Sequence, residues 1–207
     1  MATSSAITIS SAVEGLVDEV VMRRLLLYVG AIPGAIYRRQ GKAYLRQHIT
    51  RYNIAARHNA WAILIDLDNE AACAPTLREK LLASPTPRMC FRIAVRAVET
   101  WLLADRQRFA QFLSIPVSRI PPVLEAVDDP KLLLVNLARH SRKRAMREDM
   151  VPRQRSGRKV GPAYASRLME FAENTTIGRR PDVAAAESDS LQRCLHCLYR
   201  LISTSHG

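Results

Sequence analysis

The sequence predicts an α/β fold: a mostly parallel four-stranded sheet flanked by helices, with a C-terminal helical extension. Three observations predict it. Short β-like runs alternate with helical patterns four times within the first 113 residues, the order expected of crossover-connected parallel strands. The run WAILI at 61–65 is apolar throughout, as a strand buried on both faces must be. Hydrophobic residues make up 48% and charged residues 24% of 207 residues, enough to fill a core of one good-sized domain.

The elements follow in order. AITISSAV (6–13) reads as a first strand, and LVDEVVMRRLLLYVG (16–30) as an amphipathic helix ending at Gly30. AIYRR (35–39) is a second, weaker strand, and a long helix over 43–58 follows Gly41. WAILI is the third strand and PTLREKLLA (75–83) the next helix. RMCFRIAV (88–95) is a fourth strand, and VETWLLADRQRFAQFL (98–113) is helical. After SIPVSRIPP (114–122) the alternation stops, and helical segments at 131–140, 163–173 and 190–203 surround a basic stretch. The division expected is an α/β core over 1–115 and a basic, mainly helical extension over 116–207, packed on that core.

Composition narrows the function classes. No run of 18 apolar residues occurs, so no membrane span is expected. The start MATSSAITIS lacks the basic and apolar regions of a signal peptide, and a cytoplasmic protein is expected. Cys73, Cys90, Cys194 and Cys197 are too few for a disulfide scaffold. The pair in CLHC has no second pair or HxxxH to complete a zinc site and reads as buried helix cysteines.

Charge says more. Thirty-one Lys and Arg face 19 Asp and Glu, for a net charge of +12, which favours a polyanionic partner, nucleic acid before membrane. Nine of the cations fall between 138 and 160, against Glu148 and Asp149 alone. This stretch is either a solvated loop or a phosphate-contacting surface, with Arg142, Lys143, Arg144, Arg155, Arg158 and Lys159 as its contacts.

Open parallel sheets bind ligands beyond the carboxyl ends of their strands, and acidic residues gather there. Glu14 closes the first strand, Gly15 permits a turn, and Asp18 falls in the first helical turn. Asp66 and Asp68 close the third strand, two apart, so in extended backbone their side chains point the same way. Glu99 lies where the fourth strand gives way to a helix. Singly, each has an ordinary explanation: the macrodipole accounts for Asp18 and Glu19, and a turn for Asp68. Together they set four or five carboxylates on one sheet edge, where repulsion calls for a cation. Oxygen ligands select hard ions, so Mg2+ or Mn2+ is expected.

The Glu-Gly of SSAVEGLVDEVVMRRLL and the Asp-x-Asp of WAILIDLDNE resemble the topoisomerase–primase (TOPRIM) domain over roughly residues 5 to 113. The added Asp18 and the later Glu99 are more similar to the overcoming-lysogenization-defect nucleases, whose pattern supplies ligands for two metal ions. FRIAVRAVETWLLADRQRF, DDPKLLL and VGPAYASRLMEF resemble small stand-alone TOPRIM-like proteins of unassigned function, often encoded beside an ATPase, over nearly the whole chain. The resemblance implies two metal ions held by Glu14, Asp18, Asp66, Asp68 and Glu99. It also implies a catalytic lysine, for which Lys131 and Lys159 are the candidates; Lys131 equally fits an ordinary helix start.

The expected function is a metal-dependent nuclease acting on DNA, with RNA the other substrate, and an endonuclease rather than an exonuclease. Glu14, Asp66, Asp68 and Lys131 would be its catalytic residues. The chain lacks a GxxxxGK[ST] loop, a recognisable tyrosine nucleophile context and a zinc module, which leaves hydrolysis or plain binding. The proteins it resembles are often encoded beside an ATPase and an unrestrained basic nuclease would endanger its host, so an ATPase partner and a role in defence against phage are expected. The sequence also allows a nucleic-acid-binding or regulatory partner subunit with a vestigial acidic site, or a small-molecule phosphatase. Oligomerisation stays open.

Overall fold

The computed structural model describes residues 6–38, 41–174, 178 and 180–204. Four strands, β1 (Thr8–Ala12), β2 (Ile32–Tyr37), β3 (Ala60–Asp66) and β4 (Met89–Ala94), form one all-parallel sheet in the order β2-β1-β3-β4. α1 (Leu16–Tyr28) joins β1 to β2, α2 (Gly41–Ala55) joins β2 to β3, and α3 (Ala74–Leu82) joins β3 to β4. The chain leaves β1 in one direction and passes back across it to β3. Right-handed crossovers therefore put α1 on one face and α2 and α3 on the other. The same reversal makes the crevice between the ends of β1 and β3 the topological switch point of the sheet.

The two faces are filled by alternate residues of the strands. Trp61, Ile63 and Ile65 of β3 with Met89, Phe91 and Ile93 of β4 pack under α2 and α3, against Leu45, Ile49 and Leu77. Ala60, Ala62 and Leu64 point the other way, toward Val21 and Leu25 of α1. All seven residues of β3 are buried, which is why its sequence runs apolar without alternation.

The α1 face is also covered by everything after β4. α4 (Val98–Leu103), α5 (Arg106–Leu113), α6 (Pro130–Arg139), α7 (Arg144–Met150), α8 (Tyr164–Glu173), α9 (Pro181–Ala186) and α10 (Asp189–Ser203) follow in order. Trp101, Leu134, Met150, Leu168, Ala184 and Leu198 belong to the same continuous apolar core as Ile9 and Leu64. The helices beyond residue 115 thus share the core of the sheet. Among the described residues no helix is long and apolar enough to cross a membrane.

Several expectations need correction. The helix read across 98–113 is two helices, because buried Asp105 caps α5 by accepting the Arg108 N–H at 3.4 Å. Asp105 also takes three bonds from Arg180, at 2.8–3.0 Å. β2 spans Ile32–Tyr37 rather than 35–39, since pairing with β1 recruits Pro33 and Gly34 despite their poor strand propensity. Arg39 lies outside the described residues. The basic stretch contains a helix, α7, which buries Met146 and Met150.

Candidate functional site

The period-two alternation of β3 puts Asp66 on the same face as Ala62 and Leu64, toward α1 and α4. Asp18 stands in the first turn of α1 and Glu99 in the first turn of α4. Three carboxylates from three elements therefore meet in one layer, with relative exposures of 5% for Asp66, 7% for Asp18 and 3% for Glu99. Glu14, at the end of β1, reaches across the switch point. Its Oε1 accepts the Asp66 N–H at 3.2 Å. One oxygen of Asp66, Oδ1, accepts the Val98 N–H at 3.0 Å and ties β3 to the start of α4.

Gly15 has a reason other than the one its sequence context suggests. Its φ of −144° and ψ of −176° are extended, so no unusual turn is required. A Cβ there would come within 3.1 Å of Asp18 Oδ2. The glycine lets the Asp18 carboxylate lie against the backbone.

Asp68 departs from the expected geometry. It takes a left-handed conformation, φ 48°, so the extended backbone that would align it with Asp66 ends before it. Its carboxylate forms an ion pair with the Lys42 ammonium, from the first turn of α2. Lys42 also pairs with Glu70, and Glu70 with Arg46. Lys42 had no local signal in the sequence, because only the crossover from β2 to β3 brings it to the acids.

The electrostatics follow from burial. Desolvation is the largest effect on Asp66 and raises its carboxyl well above the ordinary range; Asp18, Glu99 and Glu14 push the same way. Burial also raises Asp18 and Glu99, against an opposing pull from Lys131. Glu14 is pushed up to about 7, first by burial, with Lys42 opposing. Asp18 Oδ1 and Glu99 Oε2 are buried without a hydrogen-bond partner among the described residues.

Lys131 opens α6, and its Nζ lies 4.0 Å from Glu99 Oε1. Glu99, more than any other carboxylate, raises its ammonium above the ordinary range. The Tyr164 hydroxyl, at the start of α8, lies 3.5 Å from the same oxygen. Tyr164 stood in a segment quoted only for its resemblance, and it too is brought in by packing. The other candidate, Lys159, is exposed in the loop after α7 and pairs with no carboxylate among the described residues.

The basic stretch divides in two. Lys143 Nζ donates to the Phe112 carbonyl at 3.3 Å, and Arg144 pairs with Glu148 at 2.7 Å. With exposed Arg142, they stand beyond the far end of α6, which is about 12 Å along the helix from Lys131 at 1.5 Å per residue. Arg155, Arg158 and Lys159 are exposed on the loop 151–160, whose base is closed by Gly161 N–H to the Met150 carbonyl at 3.0 Å. That base lies three residues from Tyr164, on the side of the carboxylates.

Among the described residues, no three His, Cys, Asp or Glu side chains are arranged to hold a metal ion as they stand. Glu14 is turned to the Asp66 N–H and Asp68 to Lys42. The chemistry of the donor set nevertheless suits a hard cation: all oxygen, largely buried, with two orphaned oxygens. Compared with protein-family models, with curated proteins and with solved structures, the chain finds no match.

Proposed function

We propose that the protein is a divalent-metal-dependent nuclease that hydrolyses phosphodiester bonds in DNA, or in RNA. One observation carries this reading. Asp18, Asp66 and Glu99 are each less than a tenth exposed, on one layer at the carboxyl edge of a parallel sheet. Their repulsion and desolvation oppose their ionisation, and a divalent cation relieves both. Glu14, Asp18, Asp66 and Glu99 would hold Mg2+ or Mn2+, with Asp68 joining on release from Lys42. Such ions supply an activated water and stabilise the departing oxygen. The chain's own groups do the rest. The Val98 N–H orients Asp66, Gly15 makes room for Asp18, and Lys131 sets a positive charge where a phosphate would gain negative charge. The net charge of +12 suits a polyanionic substrate.

A second reading, a regulatory nucleic-acid-binding subunit, draws on the lysines. Lys42 on Asp68 and Lys131 beside Glu99 already supply two positive charges to the cluster. One experiment separates the readings: supercoiled, linear and single-stranded DNA, and RNA, with Mn2+, Mg2+ or chelator. The nuclease reading predicts metal-dependent cleavage that Asp66→Asn reduces by more than about 100-fold. Binding without cleavage of any substrate would leave the regulatory reading standing instead.

Control by an ATPase in phage defence belongs to the same proposal. The 207 residues contain no GxxxxGK[ST] loop, and an unrestrained basic nuclease would endanger its host. Toxicity on co-expression should require both the partner's ATP site and Asp66. Vigorous cutting by the lone chain would remove the dependence.

A further inference from the structure

A second basic surface lies outside the stretch 138–160. Among the described residues β4 is an edge strand, paired with β3 alone. α3 lies over one face of the sheet beside it and α10 over the other. Between them is a groove made of two cavities, of about 520 and 280 Å³. Arg78 of α3, Arg92 of β4 and Arg193 of α10 line both cavities, so the two adjoin; Glu79, Glu125 and Asp189 also line the first, while the second has arginines and no carboxylate. One end reaches Leu67 and Arg96, next to Asp66 and Asp68. The other end reaches Arg200.

The arginines are spaced along this groove. Arg193 and Arg200 are seven residues apart on α10, which puts them on one face about 10 Å apart. Arg92 sits within the six residues of β4, a strand about 20 Å long. Their charges are also available. Arg78 and Arg92 have buried Nε atoms without a hydrogen-bond partner and no carboxylate partner among the described residues. Arg200 donates only a long contact to Cys197 Sγ, at 3.6 Å. Arg193 is paired with Asp189, and Arg96 contacts Asp128 at 3.6 Å. Arg144, by contrast, is spent on Glu148, far from the acids.

We infer that the groove along β4, through Arg78, Arg92 and Arg200, binds the phosphate backbone of a nucleic-acid strand and leads it to the carboxylate edge. The inference rests on the nuclease reading for its direction, though not for binding itself. A small anion needs one cluster of cations; a groove of separated arginines with one end at the acids fits a chain of phosphates. Phe91 is buried, no Tyr or Trp lines the groove, and the exposed ring there is His196, so contact is chiefly with phosphates and binding is insensitive to sequence.

The test is fluorescence polarisation of a labelled single-stranded oligonucleotide with the full chain, in chelator so that nothing is cleaved. Arg78→Ala with Arg200→Ala should remove two phosphate contacts and lower the salt slope by about 1.4. That corresponds to about 25-fold weaker binding at 0.1 M salt relative to a 1 M reference. Arg92→Gln, added separately, should weaken binding on its own with an unchanged melting temperature. Unchanged affinity and slope in both variants would overturn the groove. So would a mononucleotide that binds more tightly than the oligonucleotide and loses its affinity in the same variants. Failure of the nuclease reading looks different: oligonucleotide binding would depend on the groove, yet metal would support no cleavage.

Discussion

Removing metal should make the protein less stable as pH rises from 4.5 to 7. Glu14 ordinarily titrates at 4.5 and is pushed up to about 7 in the fold, mainly by burial. A raised carboxyl means that the folded state holds its proton where the unfolded chain has lost it. Stability is then full below 4.5 and is lost as pH climbs through 7. The displacement corresponds to about 3 kcal/mol at 1.36 kcal/mol per pH decade, which partial exposure of Glu14 screens to about 2 kcal/mol. For a chain of this size that lowers Tm by about 4–8 °C. Asp18, Asp66 and Glu99 are raised as well and act in the same sense. Asp105 and Glu70 are held below their ordinary values by Arg180 and by Lys42 and Arg46, against burial, so their window lies below pH 4.5. The Cys197 thiol, drawn to about 7 chiefly by its hydrogen bond with Cys90, acts above pH 7. The assay is thermal melting in chelator across pH 4.5 to 8, with and without Glu14→Gln. The wild-type Tm should fall, the variant's should fall less, and Mn2+ should restore the wild type alone. A Tm that is flat or rising over this window, or a variant identical to wild type, would refute the argument.

Further predictions follow from single contacts. Lys131→Met, which keeps the stem but drops the ammonium beside Glu99, should lower cleavage by about 100-fold while metal binding, read by calorimetry, persists; equal cleavage would make Lys131 a helix-start residue. Asp105→Ala removes the cap of α5 and the acceptor of the Arg180 bonds and should cost about 1–2 kcal/mol, seen as a fall in Tm of about 2–8 °C, with an unchanged Tm marking the cap as replaceable. Replacing Arg142, Lys143 and Arg144 together with Ala should leave the salt slope of oligonucleotide binding within about half a unit of wild type; a fall of two or more would move the nucleic-acid surface to that end of the molecule.

What was legible in the sequence was what local pattern controls. The apolar run of β3 reports burial on both faces, and the change to Asp66 reports its end. Glu14, Asp18 and Glu99 were legible because each stands at the junction of a strand and a helix, where a parallel sheet collects its ligands. The side-chain direction of Asp68 was not legible, since it depends on one residue leaving the extended region. Neither was Lys42, which is 26 residues from its partner. The break between α4 and α5 was hidden for the same reason: Asp105 is ordinary until Arg180, 75 residues on, folds over it. The β4 groove needed three separated elements to be assembled before its arginines could be seen together.

The central claim, that the buried carboxylates form a cation site, is tested most directly by titrating Mn2+ into the metal-free protein by calorimetry, beside Asp66→Asn. Saturable binding to wild type, weakened at least tenfold in a variant that melts as wild type does, is the predicted result. Heats from wild type that match those of Asp66→Asn would contradict it.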